Sequence, residues 1–245
     1  MMESPPGDEG ACKARNLEME SEPGRRIALY EFVAFVFLLF PSMMLSFFSS
    51  SRTGLRFEVV AVATLLRDLS LVGLVLFFLW RNGERVSRIG WTAENLPREV
   101  LMGLGFFPLF TFGAAGVQAF LGSAGFPAPP RSLPPFLLPS GKVQLLSALI
   151  LVLVVAVSEE VVFRGYMIHR LRSVTSSQAA ALFLSSVIFS FGHGYEGSVG
   201  VLMTGFMGLI LGVVYLWRGS LVAPTMMHFL QDLIGLVLVP LSGLK

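Results

Sequence analysis

Charge is scarce in this chain. Only 14% of its 245 residues are Asp, Glu, Lys or Arg, against about 25% in an ordinary soluble domain. The shortage, with 54% hydrophobic residues and a mean hydropathy of +0.72, excludes a soluble fold. A single cysteine, Cys12, excludes a disulfide framework and a thiolate metal site. The net charge of +2 is too small to argue for nucleic acid as a partner. Period-2 alternation is absent, which excludes a transmembrane β-barrel. No internal repeat appears, and this weighs against a secondary transporter.

What remains is a series of apolar runs, several near the about 20 residues needed to cross a bilayer. The expected fold is all-α, a polytopic helical membrane protein with about seven (7–8) transmembrane helices. Residues 1–26 are polar and mixed in charge, and read as a disordered tail rather than a signal peptide. Residues 27–245 read as one membrane domain. The expected spans are 27–48, 57–80, 100–121, a long fourth from 142, 178–192, 199–217 and 221–239, with Pro41 and Pro108 inside the first and third. Residues 122–141 hold six prolines and read as a loop.

Lysine and arginine counts set the orientation. With the N-terminus inside, twelve (Lys13, Arg15, Arg25, Arg26, Arg81, Arg85, Arg88, Arg98, Arg164, Arg170, Arg172, Arg218) lie inside and five (Arg52, Arg56, Arg131, Lys142, Lys245) outside. The expected location is therefore an integral membrane position with the N-terminus cytoplasmic.

Against this apolar background the polar residues inside spans stand out. Glu159 and Glu160 follow the apolar run 147–157 in the fourth span, and Arg164 follows them. A charged group at bilayer depth costs roughly 2.5–3.5 kcal/mol on insertion scales. Glu160 and Arg164 are spaced i,i+4 and are expected to pair. Glu159 points about 100° away from Glu160 and is left without a local cation, in a setting that suits a general base. Of the three histidines, His169 reads as interfacial and solvated. His193 closes the fifth span, and His228 shares a face of the seventh with Asp232 at i+4. At 1.5 Å per residue, Glu159 and His193 lie about 24 and 27 Å from the turn near Thr175, and Asp232 about 20 Å from the turn at Gly219 on the same side. Three spans thus bring these groups to one layer. Arg67 and Asp68 are adjacent, are not expected to face one another, and read as structural. Gly208-xxx-Gly212 reads as close helix packing.

Glu159-Glu160-xxx-Arg164, Phe189-xxx-His193 and His228-xxx-Asp232, in that order on successive apolar helices within 147–236, resemble the three motifs of the CPBP family. This family comprises CAAX proteases and bacteriocin-processing enzymes and is also called Abi. The resemblance implies an intramembrane endopeptidase acting on a membrane-associated peptide or protein, CAAX-like or propeptide-like. It assigns Glu159 as the base that activates water, His193 to proton transfer and to holding that water, and His228 with residue 232 to the oxyanion. Prenyl-protein members typically have asparagine at the last position, whereas Asp232 stands here. It would be protonated, orient His228 or ligate a metal. No cofactor is required in this reading. If Zn²⁺ is used, His193, His228, Glu159 and Asp232 are the candidate ligands. The expected site lies inside the bilayer and opens toward the cytoplasm. The alternatives are a non-catalytic immunity factor or scaffold of the same fold, and an ion-coupled transporter.

Overall fold

The computed structural model describes residues 24–49, 55–92, 94–126 and 134–242. Most of the expected tail, Cys12 with it, and residues 127–133 of the proline-rich loop lie outside the described residues. Among the described residues, seven helical units make up the apolar bundle. These are α1 (Arg25–Ser49), α2 (Phe57–Arg81), α3 (Leu96–Ser123), α4 (Lys142–Thr175), α5 (Gln178–Phe191), α6 (Gly197–Arg218) and α7 (Val222–Leu241). No strand occurs among the described residues. The protein is thus a polytopic helical membrane protein, with six helices long and apolar enough to span and one shorter apolar helix, α5. Both α1 and α3 continue through their prolines, Pro41 and Pro108.

α4 is the axis of the fold. Half of its apolar window is buried, against 11% for α3, and it packs on α1, α2, α5 and α7. α5 lies against α6, and α3 against α7. The expected small-residue packing of α6 is seen there, since a Cβ at Gly208 or Gly212 would run into Ser186 or Leu182 of α5. Large apolar side chains such as Phe37, Trp80, Leu109, Phe112 and Val143 are exposed on the outer surface. That pattern would drive a soluble protein to aggregate, but it suits a face solvated by lipid.

α4 is not a uniform α-helix. After Glu159 the backbone widens into a π-helix over Glu160–Met167 and returns to α-helix over Ile168–Thr175. A second π stretch, Ile234–Leu238, follows the α-helical part of α7. Such stretches are rare and concentrate at functional sites. Part of the support for the first is visible, because Ser185 Oγ of α5 donates to the Phe163 carbonyl oxygen at 2.6 Å. Propensity and apolar periodicity do not distinguish a π turn from an α turn, so the widening was not foreseen.

The two ends of the bundle differ in charge. At one end stand the N-termini of α1, α3, α5 and α7 with the C-termini of α2, α4 and α6. Leu221 N–H donates to Gly90 O at 2.9 Å, Arg218 Nε donates to Glu99 at 3.2 Å, and Arg25 Nε reaches Val174 O at 3.0 Å. Nine described arginines belong to this end, namely 25, 26, 81, 85, 88, 98, 170, 172 and 218, whereas only Arg56 and Lys142 among the described basic residues belong to the other.

The cationic end is locked by a buried cluster. Arg170, with no exposed surface, donates from Nε to Glu31 Oε2 of α1 at 2.8 Å and pairs with Glu84 of the α2–α3 connection. Glu31 also accepts from Tyr166 OH at 3.0 Å and from Asn82 Nδ2 at 2.8 Å. His169 Nε2 lies 3.0 Å from Glu84 Oε1. This corrects the reading of His169 as a solvated interfacial residue: the connection folds back over the end of α4 and supplies it a carboxylate.

Burial by itself raises the pKa of Glu84, but hydrogen bonds from His169 and Arg170 outweigh it and bring the carboxyl down to about 2. A carboxyl depressed on folding stabilises the native state above its unfolded pKa, and that contribution fades as pH falls toward the folded value. Thermal stability of the detergent-solubilised protein should therefore decline between about pH 4.5 and pH 2, by on the order of 2–3 kcal/mol from this group. In Glu84→Gln the decline should be shallower from a lower starting stability. An acid limb of the same steepness in both proteins would contradict the assignment.

Candidate active site

The site begins where α4 changes its winding. Glu159 is the last α-helical residue and Glu160 the first of the π-helix. Both are buried, at 9% and 0% exposure. Arg164 Nη1 is 2.9 Å from Glu160 Oε1, and the guanidinium lies over the Phe189 ring, 4.1 Å from its centroid. The expected pairing of Glu160 with Arg164 is thus seen.

The same Glu160 oxygen has a second partner that the spacing did not reveal. His228 Nδ1 of α7 lies 2.8 Å from it. A carboxylate only accepts, so Nδ1 carries the proton of that bond. The imidazole is thereby turned so that Nε2 faces the other carboxylates, 3.8 Å from Glu159 Oε2 and 3.6 Å from Asp232 Oδ2. Glu160 thus anchors His228 as well as balancing Arg164.

Glu159 is not without a cation. Arg67 Nη2 of α2 stands 3.5 Å from Glu159 Oε1, and Arg67 Nε donates to Asp68 Oδ1 at 2.7 Å. The expectation that Arg67 and Asp68 do not face one another is corrected. Adjacent Cβ atoms diverge, but the long arginine side chain curls back along its helix. Glu159 Oε2 and Asp68 Oδ2 remain buried without a hydrogen-bond partner.

His193 follows α5 immediately, because the helix stops after only 14 residues. Its Nδ1 is 3.3 Å from Phe189 O, and its ring lies 4.9 Å from the Phe189 centroid. A carbonyl can only accept, which assigns the proton to Nδ1 and leaves Nε2 with a free lone pair.

A cavity of about 720 Å³ gathers these groups. Glu159, His193, His228 and Asp232 all line it, along with Arg67, Asp68, Tyr195 and Glu196. Its remaining wall is mostly apolar, from α1, α2, α3, α4 and α7. Glu160 and Arg164 sit behind the wall and are not among its lining residues. Arg67, Asp68, Tyr195 and Glu196 were not singled out for the site from the sequence. The signals were present, as an Arg-Asp pair inside an apolar span and as Tyr195-Glu196 directly after His193. The donors His193, His228, Glu159 and Asp232 do not form a metal cage, since no group of three or more His, Cys, Asp or Glu among the described residues is placed to hold a metal ion.

The cavity lies toward one end of the bundle. Its lining reaches Leu55, Phe136 and Leu137, in the connections before α2 and before α4. Those connections are at the end opposite the nine arginines. Among the described residues, the cavity thus lies nearer the end opposite the nine arginines.

Residues 141–234 match the family model for Type II CAAX prenyl endopeptidase Rce1-like proteins. That segment, less than half of the chain, contains Glu159, Glu160, Arg164, His193, His228 and Asp232, and its match supports a likeness to the CPBP/CAAX protease family. Comparison with curated proteins and with solved structures returned no match.

The two adjacent glutamates should respond differently to neutralisation. Glu160→Gln leaves Arg164 buried and uncompensated and should cost on the order of 3–5 kcal/mol. Glu159→Gln should cost far less, because Arg67 keeps Asp68 and is partly exposed. Thermal melting of both variants in detergent reads the difference, and equal midpoints would refute the division of labour.

Proposed function

We propose that this protein is an intramembrane endopeptidase that hydrolyses a peptide bond of a membrane-associated substrate with a water activated by Glu159. The observation that carries this reading is the free carboxylate oxygen of Glu159, buried on the cavity wall and 3.8 Å from His228 Nε2. A carboxylate with one oxygen held near Arg67 and the other unpartnered is suited to take a proton from a water in the cavity. The resulting hydroxide attacks the peptide carbonyl. His228, its Nδ1–H fixed by Glu160, presents Nε2 to the same space, and in its protonated form it donates to the oxyanion. One such donor typically contributes about 2.7–4 kcal/mol to the transition state. His193 holds the water through its free Nε2. The proton taken by Glu159 passes to the departing amine, leaving a carboxylic acid and an amine as products. Protonated Asp232 would be the second donor, in the place where prenyl-protein members carry asparagine. No step in this scheme is routed through a metal.

The substrate would be a peptide segment that enters an apolar cavity from the plane or surface of the bilayer, CAAX-like or propeptide-like. The charge asymmetry of the bundle supports a cytoplasmic N-terminus, and a bacterial cytoplasmic membrane is the proposed location.

Glu159→Ala should lower peptide hydrolysis by at least about 10²–10⁴-fold, the range of a general base, with unchanged melting and gel-filtration behaviour in detergent. Retained hydrolysis in that purified variant would sink the mechanism. Comparison of protein termini in membranes from cells carrying wild-type or Glu159→Ala protein should identify the substrate by a terminus found only with the wild type. No hydrolysis by the wild type, and no changed terminus, would favour the scaffold or immunity reading instead.

A further inference from the structure

We propose that the cavity is entered from the extracytoplasmic side and selects a positively charged segment, so that its substrate is a cationic peptide presented at the outer face. This rests on the peptidase reading for the word substrate, but neither the route nor the charge preference depends on catalysis.

The route follows from what closes each end. Toward the arginine-rich end the cavity is floored by Leu39, Leu71, Val162, Phe163 and Phe189. Behind them lies a buried cluster that includes Phe35, Val75, Phe78, Leu79, Tyr166 and Met167. Behind that stands the ionic lock of Glu31, Glu84, His169 and Arg170. Three successive layers close this end. Toward the other end the lining runs out to the half-buried Leu55 and Leu137, in the connections before α2 and before α4. Arginine-rich ends stay in the cytoplasm, which puts the accessible end outside.

The charge preference follows from the wall. Four carboxylates line the cavity, Asp68, Glu159, Glu196 and Asp232, against one guanidinium, Arg67, and two imidazoles. Glu160 and Arg164 behind the wall balance each other. With His228 and Asp232 both protonated, as their oxyanion role requires, three carboxylates (Asp68, Glu159 and Glu196) still face two cations (Arg67 and His228). Asp68 Oδ2 is buried on this wall with no hydrogen-bond partner, an oxygen that a substrate cation could meet without displacing the water-activating Glu159. Glu196 Oε2 accepts from Thr204 Oγ1 at 3.0 Å, which fixes that carboxylate at the rim of the polar wall. In a low-dielectric pocket this set attracts an ammonium or guanidinium and repels an anion. A substrate lysine or arginine near the scissile bond meets that requirement.

Substituted-cysteine labelling tests both parts. In a Cys12→Ser background, Val155→Cys places a thiol on the cavity wall one turn before Glu159, Leu137→Cys places one at the rim, and Ser173→Cys marks the arginine-rich end. Sealed right-side-out and inside-out vesicles are treated with a cationic (trimethylammonium-ethyl) or an anionic (sulfonato-ethyl) membrane-impermeant methanethiosulfonate. The expected result is that Val155→Cys and Leu137→Cys react in right-side-out vesicles and Ser173→Cys only in inside-out ones. At Val155→Cys the cationic reagent should react at least about tenfold faster than the anionic one, after correction for their rates with a free thiol. Adding Glu196→Gln should cut that ratio by about threefold. Reaction of the cavity thiols only in inside-out vesicles, or in neither, overturns the route, and the rim variant answers if Val155→Cys does not fold. A ratio near one, or in favour of the anion, overturns the charge selection. Correct labelling in a protein that cleaves nothing would remove the peptidase reading and leave the cavity as a receptor for a cationic peptide.

Discussion

One buried carboxylate oxygen holds the site together. Glu160 Oε1 meets both Arg164 of its own helix and His228 of α7. A fully buried carboxylate costs several kcal/mol to desolvate unless it is paired and hydrogen-bonded. Here the two partners that offset that cost come from different places in the chain. The arginine is spaced to meet it along α4. The histidine arrives 68 residues later, so burying Glu160 without penalty requires α7 to dock in one rotational setting. That setting also turns Nε2 of His228 and the carboxylate of Asp232 toward Glu159.

Two neighbours in sequence consequently do opposite things. Glu160 has its charge answered on both sides behind the cavity wall. Glu159 faces the cavity with an arginine 3.5 Å from one oxygen and no hydrogen-bond partner on the other. The π-helix starts at this boundary. Its wider winding changes how Glu160 and the residues after it are spaced around α4, and a serine of α5 satisfies one of its carbonyls. The locked cationic end then fixes the last turns of α4 to α1 and to the α2–α3 connection, so the reactive part of the helix is braced from below.

Much of the fold was legible because apolar run length alone marks membrane helices. All seven helical units fall where the runs are, and Gly208 and Gly212 pack as their spacing suggested. The candidate groups on α4, α5 and α7 could be placed in one layer by counting rise per residue. Contacts that depend on helix rotation were not legible. The bond from His228 to Glu160 and the approach of Arg67 to Glu159 both need the facing angle of two helices, which a periodicity argument does not supply. The curl of Arg67 onto Asp68 was misread because Cβ directions do not constrain a flexible four-bond side chain. His169 was misread because its partner, Glu84, sits in a connection whose path is set by tertiary packing. Nor could span order alone say toward which end the cavity lies, since that depends on which side chains fill the floor.

The brevity of α5 carries a last consequence. Fourteen residues rise about 21 Å, short of the roughly 30 Å hydrocarbon layer, so the chain turns around while still below the headgroups. Backbone that leaves a helix at such depth is tolerated only beside protein or water. A truncated helix is therefore a means of irrigation. It forms a step in the bundle where the backbone must meet protein or water rather than lipid, and the hydrolysis proposed above would draw its water through that step.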